Sequence, residues 1–223
     1  MVKKKENRQE SNMNRLVFFD SIHVPTPEGD IYRRLGYRKG KTQLTAQQKE
    51  EAERYIEDAL SLIDVKGAGI RIPVQERKPS KIVLSTGVTF ESIHLSAFLE
   101  DCPEIVLMGA TAGSDIVDAI RKDSAEDNLT RAVVLDAVAS EIADAALDWI
   151  ANYYNQELRR ENKRLTQKRF SAGYHDFLLE NQKIIYDILQ LHRIGVRISE
   201  RFILIPEKSV TAIAGIENMV NRR

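Results

Sequence analysis

The sequence predicts a domain of mixed helix and strand, and three observations carry that expectation. Residues 45–63 hold a capped amphipathic helix, residues 128–165 a long alanine-rich helical stretch, and between and after them lie short β-type runs bounded by Gly and Pro. The alternation of elements leaves two arrangements open, an antiparallel α+β sheet and a parallel α/β sheet.

Residues 1–15 are almost wholly polar (KKKENRQESNMNR) and lack the apolar surface needed to order themselves. Three lysines suggest a nucleic-acid tail, but acidic residues follow at once, so a disordered start fits better. A single domain over 16–223 is expected to begin with the run Leu16-Val17-Phe18-Phe19, and the Pro25/Pro27/Gly29 cluster marks a loop. Residues 31–38 read as a short helix ending at Gly36.

In the helix over 45–63, Thr45 and Gln48 form a capping-box pair, and Ala52, Tyr55, Ile56, Ala59, Leu60 and Ile63 give the buried stripe. Gly67 and Gly69 are expected to break it. Strands follow at 70–74 and 81–84, with Pro79-Ser80 between them, then a short helix over 92–99 carrying His94. A lone histidine there reads as a packed or surface residue rather than a ligand.

A strand over 104–108 leads through Gly109-Ala110-Thr111-Ala112-Gly113-Ser114 into a helix with Ser114 as its cap. Such a loop can hold an anion on free N–H groups. With no Walker lysine and no third glycine, a tight strand-to-helix turn is the better reading. Along 128–165, Val134, Val138, Ile142, Ala146, Trp149 and Tyr153 trace the buried stripe, and Glu141 and Asp144 are acids in an apolar-rich stretch. Residues 157–169 carry mixed charge, with Glu157–Arg160 and Glu161–Arg164 at i,i+3, which reads as a solvated helix end.

Composition excludes several classes of function. A net charge of +0 gives no overall field for nucleic acid or anionic membrane. One cysteine, Cys102, leaves no internal disulfide framework and fits a reducing compartment. No apolar run has the length of a bilayer span, and no apolar stretch follows the N-terminal lysines as a secretory signal would require. A soluble, cytoplasmic protein is the expectation.

The stretch 169–215 holds the densest information. Arg169 stands directly before the polar turn Ser171-Ala172-Gly173-Tyr174-His175-Asp176. An amphipathic helix follows with Leu178, Ile184, Ile185, Ile188 and Leu189 at helical spacing and Asp176 as its expected cap, then β-type runs over 202–205 and 210–213. Arginine offers a forked donor for a carboxylate, glycine lets backbone approach, and tyrosine offers a π face to a cation, so the turn suits a small zwitterion.

RFSAGYHDF followed by ISERFILIPEKSVTAIAGI resembles the reactivation domain of cobalamin-dependent methionine synthase in its short, free-standing form. The family pattern is matched by Arg169, Ser171, Gly173, Tyr174, Ser199, Glu200, Pro206, Lys208, Ser209, Val210 and Thr211. Further elements match at Leu35-Gly36-Tyr37-Arg38 and at Ala110, Thr111 and Gly113. The likeness runs from about Ile31 to Gly215, with its specific motifs after Arg169. The methionine synthase domain has Gly-Tyr-Pro-Ala-Cys where this chain has Gly173-Tyr174-His175-Asp176-Phe177. That domain also continues beyond the second motif to a further tyrosine near its ligand, which this sequence does not reach.

The resemblance implies an α+β fold, a mostly antiparallel twisted sheet packed by long helices. It also implies binding of S-adenosylmethionine. Arg169 would pair with the ligand carboxylate and an acid such as Glu141 with its ammonium; the backbone around Ala172, Gly173 and Tyr174 would contact the adenosine, Ser171 would belong to the same cofactor-binding set, and Glu200 and Lys208 would shape the wall. Cobalamin would sit on a partner, a corrinoid-binding methyltransferase such as methionine synthase, served by a reductant such as a flavodoxin or ferredoxin. Whether this chain counts as an enzyme is left open, and the alternative is a non-catalytic regulatory or binding protein for a corrinoid protein.

The sequence shows no metal-ligand spacing among His23, His94, His175, His192 and Cys102. Ser171, His175 and Asp176 lie too close together for a hydrolase triad, and local turn and cap roles fit them better.

Overall fold

The computed structural model describes residues 14–38 and 40–219, so the polar start over 1–13 lies outside the described residues. A seven-stranded sheet runs through the molecule. In chain order its strands are β1 (Val17–Phe19), β2 (Lys66–Lys78), β3 (Lys81–Leu84), β4 (Thr89–Glu91), β5 (Glu104–Thr111), β6 (Lys163–Leu165) and β9 (Ser209–Asn218). Their order is β4-β3-β2-β5-β9-β6, with β1 beside the first half of β2. Every pairing is antiparallel, which settles the fold as α+β. A separate pair, β7 (Arg197–Ile198) and β8 (Leu204–Ile205), closes a small loop near the C-terminal end.

The central strands are buried on both faces, and the two-residue alternation of a strand divides their side chains between two cores. On β5, Val106, Met108 and Ala110 point to one side, where they meet α1 (Glu28–Arg34), α2 (Ala46–Leu62), α4 (Asp115–Ala125) and α5 (Leu129–Arg159). Ile105 and Leu107 point to the other, against α3 (Ile93–Phe98) and α6 (Asn181–Leu189). Alternation is repeated on β9, with Ala212, Ala214 and Ile216 against Ile213.

Helix α2 has the expected capping box, with Thr45 Oγ1 accepting from Gln48 N and Gln48 Oε1 accepting from Thr45 N. It ends at Leu62 before any glycine, because Ile63 has already turned to extended backbone (φ −87°, ψ 125°). Gly67 and Gly69 lie inside β2, where their role is close approach. A Cβ on Gly69 would stand 2.6 Å from Tyr154 Cε2, and one on Gly67 2.7 Å from Ile150 Cδ1. Two missing side chains thus let α5 lie down on the sheet.

The long helix α5 stops at Arg159, not at 165, and the chain turns through Asn162 (φ 57°) into β6, which pairs with the end of β9. Glu157–Arg160 form their exposed i,i+3 pair at 3.8 Å. Glu161 does not pair with Arg164, because the turn carries it inward. It meets Arg71 at 2.6 Å and Lys163 at 3.1 Å, and the same two cations hold the buried Glu104. What reads in sequence as a solvated helix end is half of a four-charge lock between β2, β5 and β6.

Candidate functional site

A cleft of about 720 Å³ opens where α5, the segment after β6 and the start of β9 converge. One wall is Gln167 to Ser171 with Tyr174 and His175, the floor is Ser209 to Ala212 of β9, and α5 contributes Asp144, Leu147 and Asp148. The volume suits a small organic ligand.

The sequence builds this wall by anchoring a turn on a strand. Phe170 exchanges two backbone hydrogen bonds with Ile213, at 2.8 and 2.7 Å, and Ser171 Oγ donates to Thr211 O at 2.8 Å. Thr211 Oγ1 in turn donates to Gln182 Oε1 of α6 at 2.9 Å, tying floor to helix. The turn then reverses at Gly173 (φ 90°), whose N–H donates to Phe177 O at 2.7 Å. That positive φ is the reason for glycine here. Ala172 is buried beneath the turn, in the core on the α6 side of the sheet.

Arg169 projects from this wall and forms an ion pair with Asp148. Asp144 lies one helical turn earlier on α5. Desolvation by the cleft walls and the neighbouring Glu141 push its carboxyl above the usual aspartate value, with Arg169 and Arg34 opposing. A guanidinium and two carboxylates therefore line the same cleft, a set that can take both charged groups of a zwitterion. The same cleft is lined by four rings: Phe98, Phe170, Tyr174 and His175. Tyr174 is 65% exposed at the cleft.

Of the residues singled out from sequence, Arg169, Ser171 and Tyr174 line the cleft. Ala172 and Gly173 sit in its supporting turn. Glu141 forms an ion pair with Arg34 of α1 and does not line the cleft; on α5 the acids that do are Asp144 and Asp148. Lys208 lies outside it, with Nζ 2.6 Å from Asp136 Oδ1 and 2.8 Å from Ser140 Oγ. Glu200 is exposed in the turn joining β7 and β8, away from the cleft lining.

Asp176 does not cap the helix that follows it. That helix begins five residues later, at Asn181 with Glu180 at its N-cap, and Leu178 is 58% exposed. Asp176 instead caps α3 across the chain. Ser92 Oγ donates to it at 2.6 Å and Ile93 N at 2.6 Å, while His94 Nδ1 lies 2.9 Å away. The Ser92 hydroxyl, followed by the Ile93 and His94 donors, holds its carboxyl well below the usual range. Ser114, at the N-cap of α4, makes no capping bond and reaches Asp115 instead. Among the described residues no group of three His, Cys, Asp or Glu is placed to hold a metal, and no helix is long and apolar enough to cross a membrane.

His175 is the cleft residue that sequence reading left as a turn residue. It stands in the left-handed region (φ 53°), and its ring stacks on His94 with centroids 4.6 Å apart. The signal available in sequence was a polar turn carrying His beside Asp; the partner His94 lies 81 residues earlier and cannot be paired with it from spacing.

No family model matches this chain, and no curated protein matches it either. Among solved structures, the chain is similar to the reactivation domain of MetH bound to AdoHcy. That likeness has a TM-score of 0.61 at 15% identity and covers 90% of this chain and 78% of the other. At that identity the likeness establishes the fold.

Proposed function

We propose that this chain is an S-adenosylmethionine-binding module that supports reductive methylation of the corrinoid of a cobalamin-dependent methyltransferase, methionine synthase being the best candidate. The observation that carries the reading is the position of Arg169. It stands beside Asp148, in a cleft lined also by Asp144 and by aromatic rings. A small molecule that carries a carboxylate, an ammonium and a flat ring matches that lining. The fold supports it, since the similar solved domain is described as bound to AdoHcy, the demethylated form of this ligand.

In this reading Arg169 exchanges its bond to Asp148 for one to the ligand carboxylate. Asp144 and the released Asp148 then face the ammonium. Tyr174 closes from the rim, where a desolvated ring facing a sulfonium contributes roughly 2 kcal/mol. The sulfonium supplies an already activated methyl group and the corrinoid, on a separate protein with its own reductant, supplies the nucleophile. The chain's task is to hold the donor and aim its methyl group outward. Association with that partner is expected to be transient and polar, because the partner must also visit its ordinary substrates.

The test is to mix the chain with a corrinoid protein in its cob(II)alamin form, a reductant and S-adenosylmethionine, and to follow the visible spectrum. Conversion to methylcobalamin that slows with Tyr174→Ala supports the reading. Binding of S-adenosylmethionine without restoration of any corrinoid protein of the same cell would favour a sensing or regulatory role through the same cleft.

A further inference from the structure

We propose that Gln182 of α6, held by Thr211 of β9, reads the 6-position of a purine and makes the cleft selective for a 6-amino base over a 6-oxo base. This rests on the functional reading above and deepens it, by assigning the part of the ligand that the charged groups leave unread.

The cleft takes its lining from elements on both faces of the sheet. Asp144 and Asp148 come from α5, which packs on one face, whereas Gln182 comes from α6, which packs on the other. Phe98 and Phe170 also pack with the core on the α6 side. A ligand whose amino-acid part is held by Arg169 and the acids of α5 therefore has rings and uncharged polar groups left to meet on the α6 side.

Those polar groups have a fixed polarity. Thr211 Oγ1 donates to Gln182 Oε1 at 2.9 Å, so the hydroxyl's one proton is spent and its oxygen offers only lone pairs. Ser171 Oγ likewise spends its proton on Thr211 O at 2.8 Å. Phe202 O, which can only accept, lies 3.5 Å from Gln182 Nε2, so the nitrogen is the amide atom turned toward it. That contact is at the long limit of a hydrogen bond, and the second N–H of the amide has no partner among the described residues. The result is one donor, Gln182 Nε2, in the company of two oxygens that only accept.

Adenine carries the complement of that set. Its 6-amino group donates, and the ring nitrogen on either side of it, N1 or N7, accepts. A 6-oxo base turns a carbonyl oxygen toward oxygens that cannot donate, and leaves both sides unpaired. Ribose hydroxyls donate and accept alike, so a ribose held by these residues would leave the cleft blind to the 6-substituent.

The experiment is calorimetric titration of the full chain with S-adenosylhomocysteine and with S-inosylhomocysteine, which differ only at the 6-position. The Kd of the inosyl compound is expected to be higher by roughly 10- to 100-fold, the size of leaving a partly buried polar group unpaired. Gln182→Leu, which keeps the length and helix preference of the side chain, and Thr211→Val, which removes only the hydroxyl, should each lower that ratio severalfold while circular dichroism confirms the fold. Equal affinity for the two compounds in the unaltered chain overturns the proposal. So does weakening of both compounds alike in the variants with the ratio preserved, which would make Gln182 and Thr211 structural only. Failure of both compounds to bind the unaltered chain overturns the functional reading itself, a result distinguishable from the other two.

Discussion

Arg169 reaches back from the segment after β6 to pair with Asp148 of α5, one helical turn beyond Asp144. The pairing holds the guanidinium at the cleft without a ligand, at an exposed carboxylate that surrenders it at little cost. An ion pair of this kind contributes about 0–1 kcal/mol.

Arg169→Ala should therefore weaken S-adenosylmethionine binding by about 1.5–3 kcal/mol, the range for a hydrogen bond to a charged group, and change stability by much less. Isothermal titration beside a thermal melt checks both. Unchanged affinity in a folded variant removes Arg169 from the site.

Asp144 is expected to set the pH dependence of the proposed binding. Partial desolvation and the neighbouring Glu141 raise its carboxyl in the folded chain, though half of the side chain is exposed, so ionising it costs stability as pH rises through that range. A bound ammonium favours the ionised form and reverses the shift. Affinity should thus fall as pH drops through the raised carboxyl range, with proton release accompanying binding there. Asp144→Asn should lower affinity at neutral pH and flatten the dependence. An undiminished pH dependence in that variant would place the ammonium elsewhere.

The lock formed by Arg71, Glu104, Glu161 and Lys163 governs acid stability. Burial opposes ionisation of Glu104, but the hydrogen bonds from Arg71 and Lys163 outweigh it and leave its carboxyl lowered. Glu161 is lowered to about 2, first by Arg71 and with help from Lys163. Both acids are depressed, so their stabilisation is complete above the unfolded carboxylate range, about pH 4.3, and is lost as pH falls from there toward 2. Glu104→Gln should cost about 3–5 kcal/mol, as expected when one partner of a buried pair is removed. A melting-temperature series from pH 6 to 3 should be shallower in the variant, and equal slopes would contradict the assignment.

Gly173→Ala is expected to destabilise by about 1–2 kcal/mol, because alanine resists the positive φ that reverses the turn. Gly69→Ala should cost about 1–3 kcal/mol for a different reason, since its methyl group would strike Tyr154. Chemical denaturation measures both. A neutral Gly69→Ala would show that Tyr154 can move aside and that the close approach of α5 is not needed.

The parts of this fold legible in the sequence are those fixed by local rules. Thr45 and Gln48 announced their capping box, and the apolar runs of β3 and β5 announced strands, because cap chemistry and a short apolar run bounded by turn residues act over a few residues. What stayed hidden depended on partners far along the chain. Asp176 looks like the cap of the next helix and serves α3, more than eighty residues earlier. Glu161 looks like a helix-surface charge and is drawn inward by Arg71, ninety residues away. Gly67 and Gly69 look like breakers, and their purpose appears only when α5 lies across them. In the cleft, Arg169, Ser171 and Tyr174 were readable from one short motif. The acids Asp144 and Asp148, which line the cleft, were not separable in sequence from Glu141, which pairs with Arg34 and is not among the lining residues.

The most direct test of the central claim is calorimetric titration of the chain with S-adenosylmethionine at neutral pH. One site per chain is expected, lost or strongly weakened in Arg169→Ala and in Asp144→Asn. Absence of binding by the folded, unaltered chain, or binding indifferent to both substitutions, would contradict it.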